Sequence, residues 1–184
     1  MTIEIDDAGW GDLVGGCFIV VRRVETGQYY AGEVPVRLFQ EPAFKEKQYL
    51  EEAWRIVSEG LKAMSVSLTE PIRVCTGYVL SQVRRNLAEE GYTVIPTRIV
   101  GETQDLAERL YVDSLRQLGI AELNVNAGGG RFRPLLEWVQ KDIDGRERYV
   151  KTGWKSWRTK WREAAQASSA LLPRRQAGFL DNEK

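Results

Sequence analysis

The run Cys17-Phe18-Ile19-Val20-Val21, set between the glycines at 15–16 and Gly27, leaves the chain least choice of fold. Consecutive β-favouring apolar residues have no solvent face, so the segment Gly16–Val24 predicts a strand at the centre of a sheet. Its neighbours follow from local signals. Ile3–Asp6 alternates and then meets a glycine-rich turn, and Gly27 turns the chain into a hairpin partner over Tyr29–Phe39, with Pro35 marking an edge or a bulge. These three strands are expected to form an antiparallel meander. The pattern then changes period. Leu50, Ala53, Trp54, Val57, Leu61 and Met64 fall on one helical stripe, which predicts a helix over 44–64. A short strand over Pro71–Thr76, a helix over Val79–Glu90 stopped by Gly91, a strand over Tyr92–Val100 and a helix over Thr103–Leu118 complete the series. The expected architecture is α/β, a mixed five-stranded sheet of an antiparallel meander plus two parallel strands, with helices on its faces.

That domain is expected to span 1–123. Residues 124–130, Asn-Val-Asn-Ala-Gly-Gly-Gly, read as a flexible joint, and 124–184 as a linker followed by a helical carboxy-terminal extension. In the extension a short helix is expected near Pro134–Lys141, a turn at Asp144-Gly145 and a longer helix over Gly153–Ala170. Trp154, Trp157 and Trp161 recur there at helical spacing, which favours a core stripe. Residues 146–175 carry nine lysines and arginines against two acids, within a chain whose 26 basic and 26 acidic residues balance. A basic face of this kind raises the expectation of a polyanionic partner. Lys151, Lys155, Arg158 and Arg162 are its candidate nucleic-acid contacts, although a membrane surface or a partner helix fits the same pattern.

Histidine is absent. Imidazole-based triads, Cys-His hydrolysis and the HExxH zinc proteases are therefore excluded, and any acid–base or metal chemistry falls to other side chains. The two cysteines, Cys17 and Cys75, lie in strand-like apolar runs without a CxxC partner, which suits buried inert thiols better than a structural zinc site. With no apolar run of membrane-spanning length and no secretory leader, the expectation is a cytoplasmic protein.

The most informative segment is Ile5-Asp6-Asp7-Ala8-Gly9-Trp10-Gly11. Two carboxylates end a strand, and glycines let the following backbone approach a ligand or take positive φ. This segment resembles the opening motif of the type 2 ribonuclease H family, Asp-Glu-Ala-Gly-Arg-Gly. Asp6-Asp7, Ala8-Gly9 and Gly11 match it, and Gly15 fits a later glycine. More faintly, Val74-Cys75-Thr76-Gly77 stands where the family has Val-Asp-Gly, Val100-Gly101-Glu102 where it has Gly-Asp, and Val112-Asp113 echoes Arg-Asp. The resemblance covers roughly residues 2–118. It implies a ribonuclease H-like fold and hydrolysis of a phosphodiester at a carboxylate cluster holding Mg²⁺ or Mn²⁺, hard cations that take oxygen ligands. The implied catalytic residues are Asp6, Asp7 and Glu102. The same three bind the metal, Asp105 is a further candidate ligand, and Gly9, Trp10 and Gly11 meet the nucleic acid.

The chain departs from the family in two places. Thr76 or Cys75 replaces the aspartate ending the fourth strand, and Trp10 replaces the arginine of the glycine turn. Glu52, on the first helix, is a weak candidate for the missing carboxylate against the reading of a solvated helix face. Asp113 lies eleven residues from Glu102, ~16 Å along a helix, and is read as structural or substrate-facing. Three functions remain: a metal-dependent nuclease acting on RNA, DNA or a hybrid; a non-catalytic nucleic-acid-binding or interaction module with an eroded site; and a small-molecule binder using the Thr76-Gly77-Tyr78 turn.

Overall fold

A computed structural model of the chain describes residues 1–120 and 130–170. The expected joint at 124–129 lies outside the described residues, as do the carboxy-terminal residues beyond 170. Five strands, β1 (Ile3–Ala8), β2 (Cys17–Arg23), β3 (Tyr29–Val34), β4 (Ile72–Cys75) and β5 (Val94–Thr97), form one sheet in the order β3-β2-β1-β4-β5. The pairs β1–β2 and β2–β3 are antiparallel, and β1–β4 and β4–β5 are parallel. The mixed sheet expected from the sequence is therefore present, with β2 between two partners as its continuous apolar run requires.

Successive residues of a strand face opposite sides, and β1 shows what each side is for. Ile3 and Ile5 enter a core beneath α1 (Gln48–Ala63) and α2 (Ser81–Glu89), together with Val57, Leu61, Val83 and Leu87. On the other side Ala8 and Val20 meet Leu106, Tyr111 and Leu115 of α3 (Glu102–Gln117). Each core is anchored by residues that are essentially unexposed.

The elements differ from expectation mainly at their ends. β3 stops at Val34, because Pro35 supplies no N–H to the ladder and instead opens a 3₁₀ turn over Val36–Phe39. α1 begins at Gln48, four residues later than its apolar stripe suggested. Tyr78–Leu80 forms a 3₁₀ turn leading into α2.

The extension does not stand away from the sheet. Leu135, Leu136 and Val139 of α4 (Phe132–Gln140), Ile143 of α5 (Ile143–Arg146), Val150 and Trp157 join the core under α3. The expected Asp144-Gly145 turn lies inside α5, which the Asp142 side chain caps by accepting from the Gly145 N–H at 3.1 Å. Val14 and Val150 form an antiparallel bridge, with Lys151 N donating to Leu13 O and Gly15 N to Tyr149 O. A π-helical turn over Trp157–Trp161 leads into α6 (Arg162–Ala170). The tryptophan stripe divides: Trp157 is buried and Trp161 packs on Phe132, but Trp154 precedes the helix and joins a different aromatic group around Trp10.

Candidate functional site

The β1–β4 ladder ends at the pair Ile5–Val74, while β1 continues to Ala8 against β2. Asp6 and Asp7 therefore stand past the last pairing with β4, at the carboxyl ends of the two parallel strands. Open α/β sheets commonly bind ligands in that position. Asp6 faces α3 and Asp7 faces the opposite core, yet their carboxylates converge past the end of that ladder. One oxygen from each and the Cys75 Sγ lie within 4.8 Å of one another. Asp6 is 4% exposed. Asp7 accepts from the Cys17 thiol at 3.8 Å and sits so close to Gly77 that a Cβ there would lie 2.9 Å from its Oδ1.

Burying two neighbouring carboxylates is costly, because each charged form loses water. Burial raises the Asp6 carboxyl above its usual range, and the acids Glu108 and Glu4 raise it further. Burial pushes Asp7 up to about 7, with the charge of Asp6 the next cause. Cys75 is pushed up to about 11, again chiefly by burial. A divalent cation is the species that relieves all three effects at once, since it favours the deprotonated form of every donor. Two carboxylate oxygens suit Mg²⁺ or Mn²⁺, and the sulfur adds a softer third donor. Among the described residues the cluster is the one group of three such donors close enough together to hold a metal ion.

The other residues expected at the site are placed as follows. Glu102 opens α3 and lies outside the cluster, its exposed carboxylate paired with Arg22 of β2. Its neighbour Thr103 donates to Glu4 at 2.6 Å, which sets the start of α3 level with Glu4. Six residues on, ~9 Å along the helix, the α3 carboxylate that acts on both Asp6 and Asp7 is Glu108. Glu108 is held by Arg131 at 2.5 Å, and the same guanidinium binds Asp12 at 2.9 Å. Asp105 lines a surface groove with Arg22, Tyr29, Glu102 and Arg109. Asp113 pairs with Arg116, and Glu52 with Arg55. Glu102→Gln is accordingly expected to leave Mn²⁺ affinity within about twofold of wild type by titration calorimetry. A tenfold loss would return Glu102 to the metal shell.

Lys151, expected on a nucleic-acid surface, is instead fully buried. The Val14–Val150 bridge carries it beneath the glycine turn, where its ammonium donates to Gly9 O and to Asp12 O (3.0 Å) and lies 5.2 Å from the Phe39 ring centroid. Burial pulls it down to about 8. It therefore braces the site from within and cannot meet a polyanion outside. Trp10, expected against nucleic acid, is half-buried and packed on Trp154 (5.1 Å), Tyr49 (5.2 Å), Phe39 (5.8 Å) and Tyr78 (6.0 Å). Gly9 is buried against Tyr111 and Gly11 is exposed.

Lys155, Arg158 and Arg162 are exposed as expected. Arg158 lies 3.6 Å from Glu41, and Arg162 binds Glu147 at 2.6 Å. Thr76 is exposed and Cys75 turns inward, so it is Cys75 and not Thr76 that lies beside the two aspartates. No protein-family model matches the sequence, and no curated protein is significantly similar to it. No helix among the described residues is long and apolar enough to cross a membrane.

Proposed function

We propose that the chain is a ribonuclease H-like, divalent-metal-dependent hydrolase of phosphodiesters in nucleic acid. The observation that carries this reading is the convergence of Asp6, Asp7 and Cys75 at the carboxyl ends of β1 and β4. The strand order and the Asp-Asp-Ala-Gly-x-Gly segment support it. Asp6, Asp7 and Cys75 would hold Mg²⁺ or Mn²⁺. When bound, the ion supplies Lewis-acid activation of water and neutralises charge developing on the phosphate. The remaining groups position the ligands. Lys151 fixes the turn after β1 through Gly9 O and Asp12 O, Arg131 locks that turn to α3, and Arg84 holds the β4 turn by donating to Cys75 O and Gly77 O.

A second reading is supported by the donor count. Two carboxylates and a thiol carry less charge than the all-carboxylate cluster the family resemblance implies, which suits a binding module whose catalysis has been lost. Calorimetric titration of Mn²⁺ into wild type and Asp6→Ala separates these readings when joined to cleavage assays on RNA, DNA and hybrid. Stoichiometric binding that disappears in Asp6→Ala, with metal-dependent cleavage, is the expected result. Binding without cleavage selects the module, and no binding by wild type removes the metal centre altogether.

A further inference from the structure

Tyr78 follows Gly77 directly, and Gly77 lies against Asp7. Tyr78 is 47% exposed, and Tyr29 is the only other aromatic residue so exposed among the described residues. An exposed aromatic ring is normally mobile, but this one is held in place. Trp10 packs behind it at 6.0 Å, and the Lys47 ammonium stands over the ring, 6.0 Å from its centroid. The ring forms one side of a groove of about 340 Å³ whose other polar lining includes Lys47, Ser81, Gln82 and Arg85. No acid occupies the first turn of α2, which opens into this groove.

We infer that this groove is a nucleotide subsite in which one base of a single-stranded nucleic acid stacks on Tyr78 while Lys47 and Arg85 take the flanking phosphates. The inference rests on the nuclease reading and deepens it by naming the form of substrate. Its size sits at the low end of ligand pockets, ~300–1,000 Å³, enough for one nucleotide unit. The lining is mixed, because Glu46 and Glu51 share it with Lys47 and Arg85. A bare anion would be poorly served by that mixture. A nucleotide fits it, with an ionic phosphate for the cations and a neutral base edge for the carboxylates and Gln82. Stacking on a fixed ring needs a base face that is free, which a duplex covers with its neighbours and a single strand exposes. Tyr78 lies one residue from the Asp7 contact, so a strand stacked there brings an adjacent phosphodiester toward Asp6, Asp7 and Cys75.

The test is fluorescence anisotropy with a labelled single-stranded oligonucleotide, in EDTA and in Ca²⁺, with the matched duplex as competitor. Wild type is expected to prefer the single strand. Tyr78→Ala is expected to weaken binding about tenfold, Tyr78→Phe to retain it, and the double variant Lys47→Ala/Arg85→Ala to flatten its salt dependence. Thermal melting checks that each variant is folded, which the exposure of these side chains favours. Undiminished binding by Tyr78→Ala, a preference for duplex, or no binding by wild type each overturns the subsite. The two readings fail differently. Tyr78-dependent binding without any metal-dependent cleavage sinks the nuclease and keeps the subsite. Metal-dependent cleavage whose KM is untouched by Tyr78→Ala does the reverse.

Discussion

Gly9→Ala is expected to destabilise the protein by about 3–4 kcal/mol, read as a fall of more than 1 M in the urea midpoint. Two costs combine at this residue. Its φ is +88°, a region that disfavours every L side chain, and a Cβ there would lie 2.5 Å from Cδ2 and Cε2 of Tyr111 and 3.0 Å from Gly16 O. Tyr111 has little room to retreat. It is fully buried, its hydroxyl donates to Val14 O at 2.8 Å, and the cations of Arg131 and Lys151 flank its ring. Gly11→Ala is the matched control, since a Cβ there would meet nothing within 4 Å and its φ is ordinary. It should fall within about 0.5 kcal/mol of wild type. A Gly9→Ala protein within about 1 kcal/mol of wild type would mean that Tyr111 is not fixed as described.

The contrast between these glycines marks how far the sequence could be read. Both were expected to serve a ligand, and their roles separate only when α3 is laid across β1. Signals confined to one element were legible: the apolar run of β2, the stripe of α1, and Gly91 ending α2. The acidic pair was legible too, because carboxylates followed by glycine at a strand end break the pattern of an ordinary core strand. Contacts between distant segments were not. Lys151 lies in a basic run and reads as surface charge, yet its partners stand 139 and 142 residues earlier in the chain.

Register was equally hidden. In a strand as short as β4, a shift of one residue exchanges Cys75 for Thr76, and only the pairing of Ile5 with Val74 decides between them. Glu102 misled for a related reason. It follows a strand and opens a helix, the sequence position in which the family resemblance puts a ligand. The helix starts level with Glu4, however, and Glu108 comes abreast of the aspartates one and a half turns later. Arg131 was silent in the same way: no local signal places its guanidinium between Asp12 and Glu108, which it binds from over a hundred and from twenty-three residues away.

Asp7→Asn should make the metal-free protein more stable at pH 8 while abolishing the proposed metal-dependent hydrolysis. In the folded chain the Asp7 carboxyl keeps its proton up to about 7, against 3.8 as its ordinary value, because burial and the charge of Asp6 oppose ionisation. The folded state therefore binds more protons than the unfolded state between those limits. This group's stabilising contribution is full below pH 3.8, declines as pH rises toward 7, and is lost above it. The displacement corresponds to about 4 kcal/mol at most, so urea unfolding in EDTA should show wild type weakening from pH 5 to pH 8. Asparagine does not titrate, and the variant should lose most of that slope. Saturating Mn²⁺ should restore wild-type stability at pH 8, since a ligand bound only by the folded state stabilises it by mass action, and should leave Asp7→Asn nearly unchanged. A variant no more stable than wild type at pH 8 without metal would show that the folded protein does not feel the buried charge. The cluster would then lack the electrostatic strain that a cation is proposed to relieve.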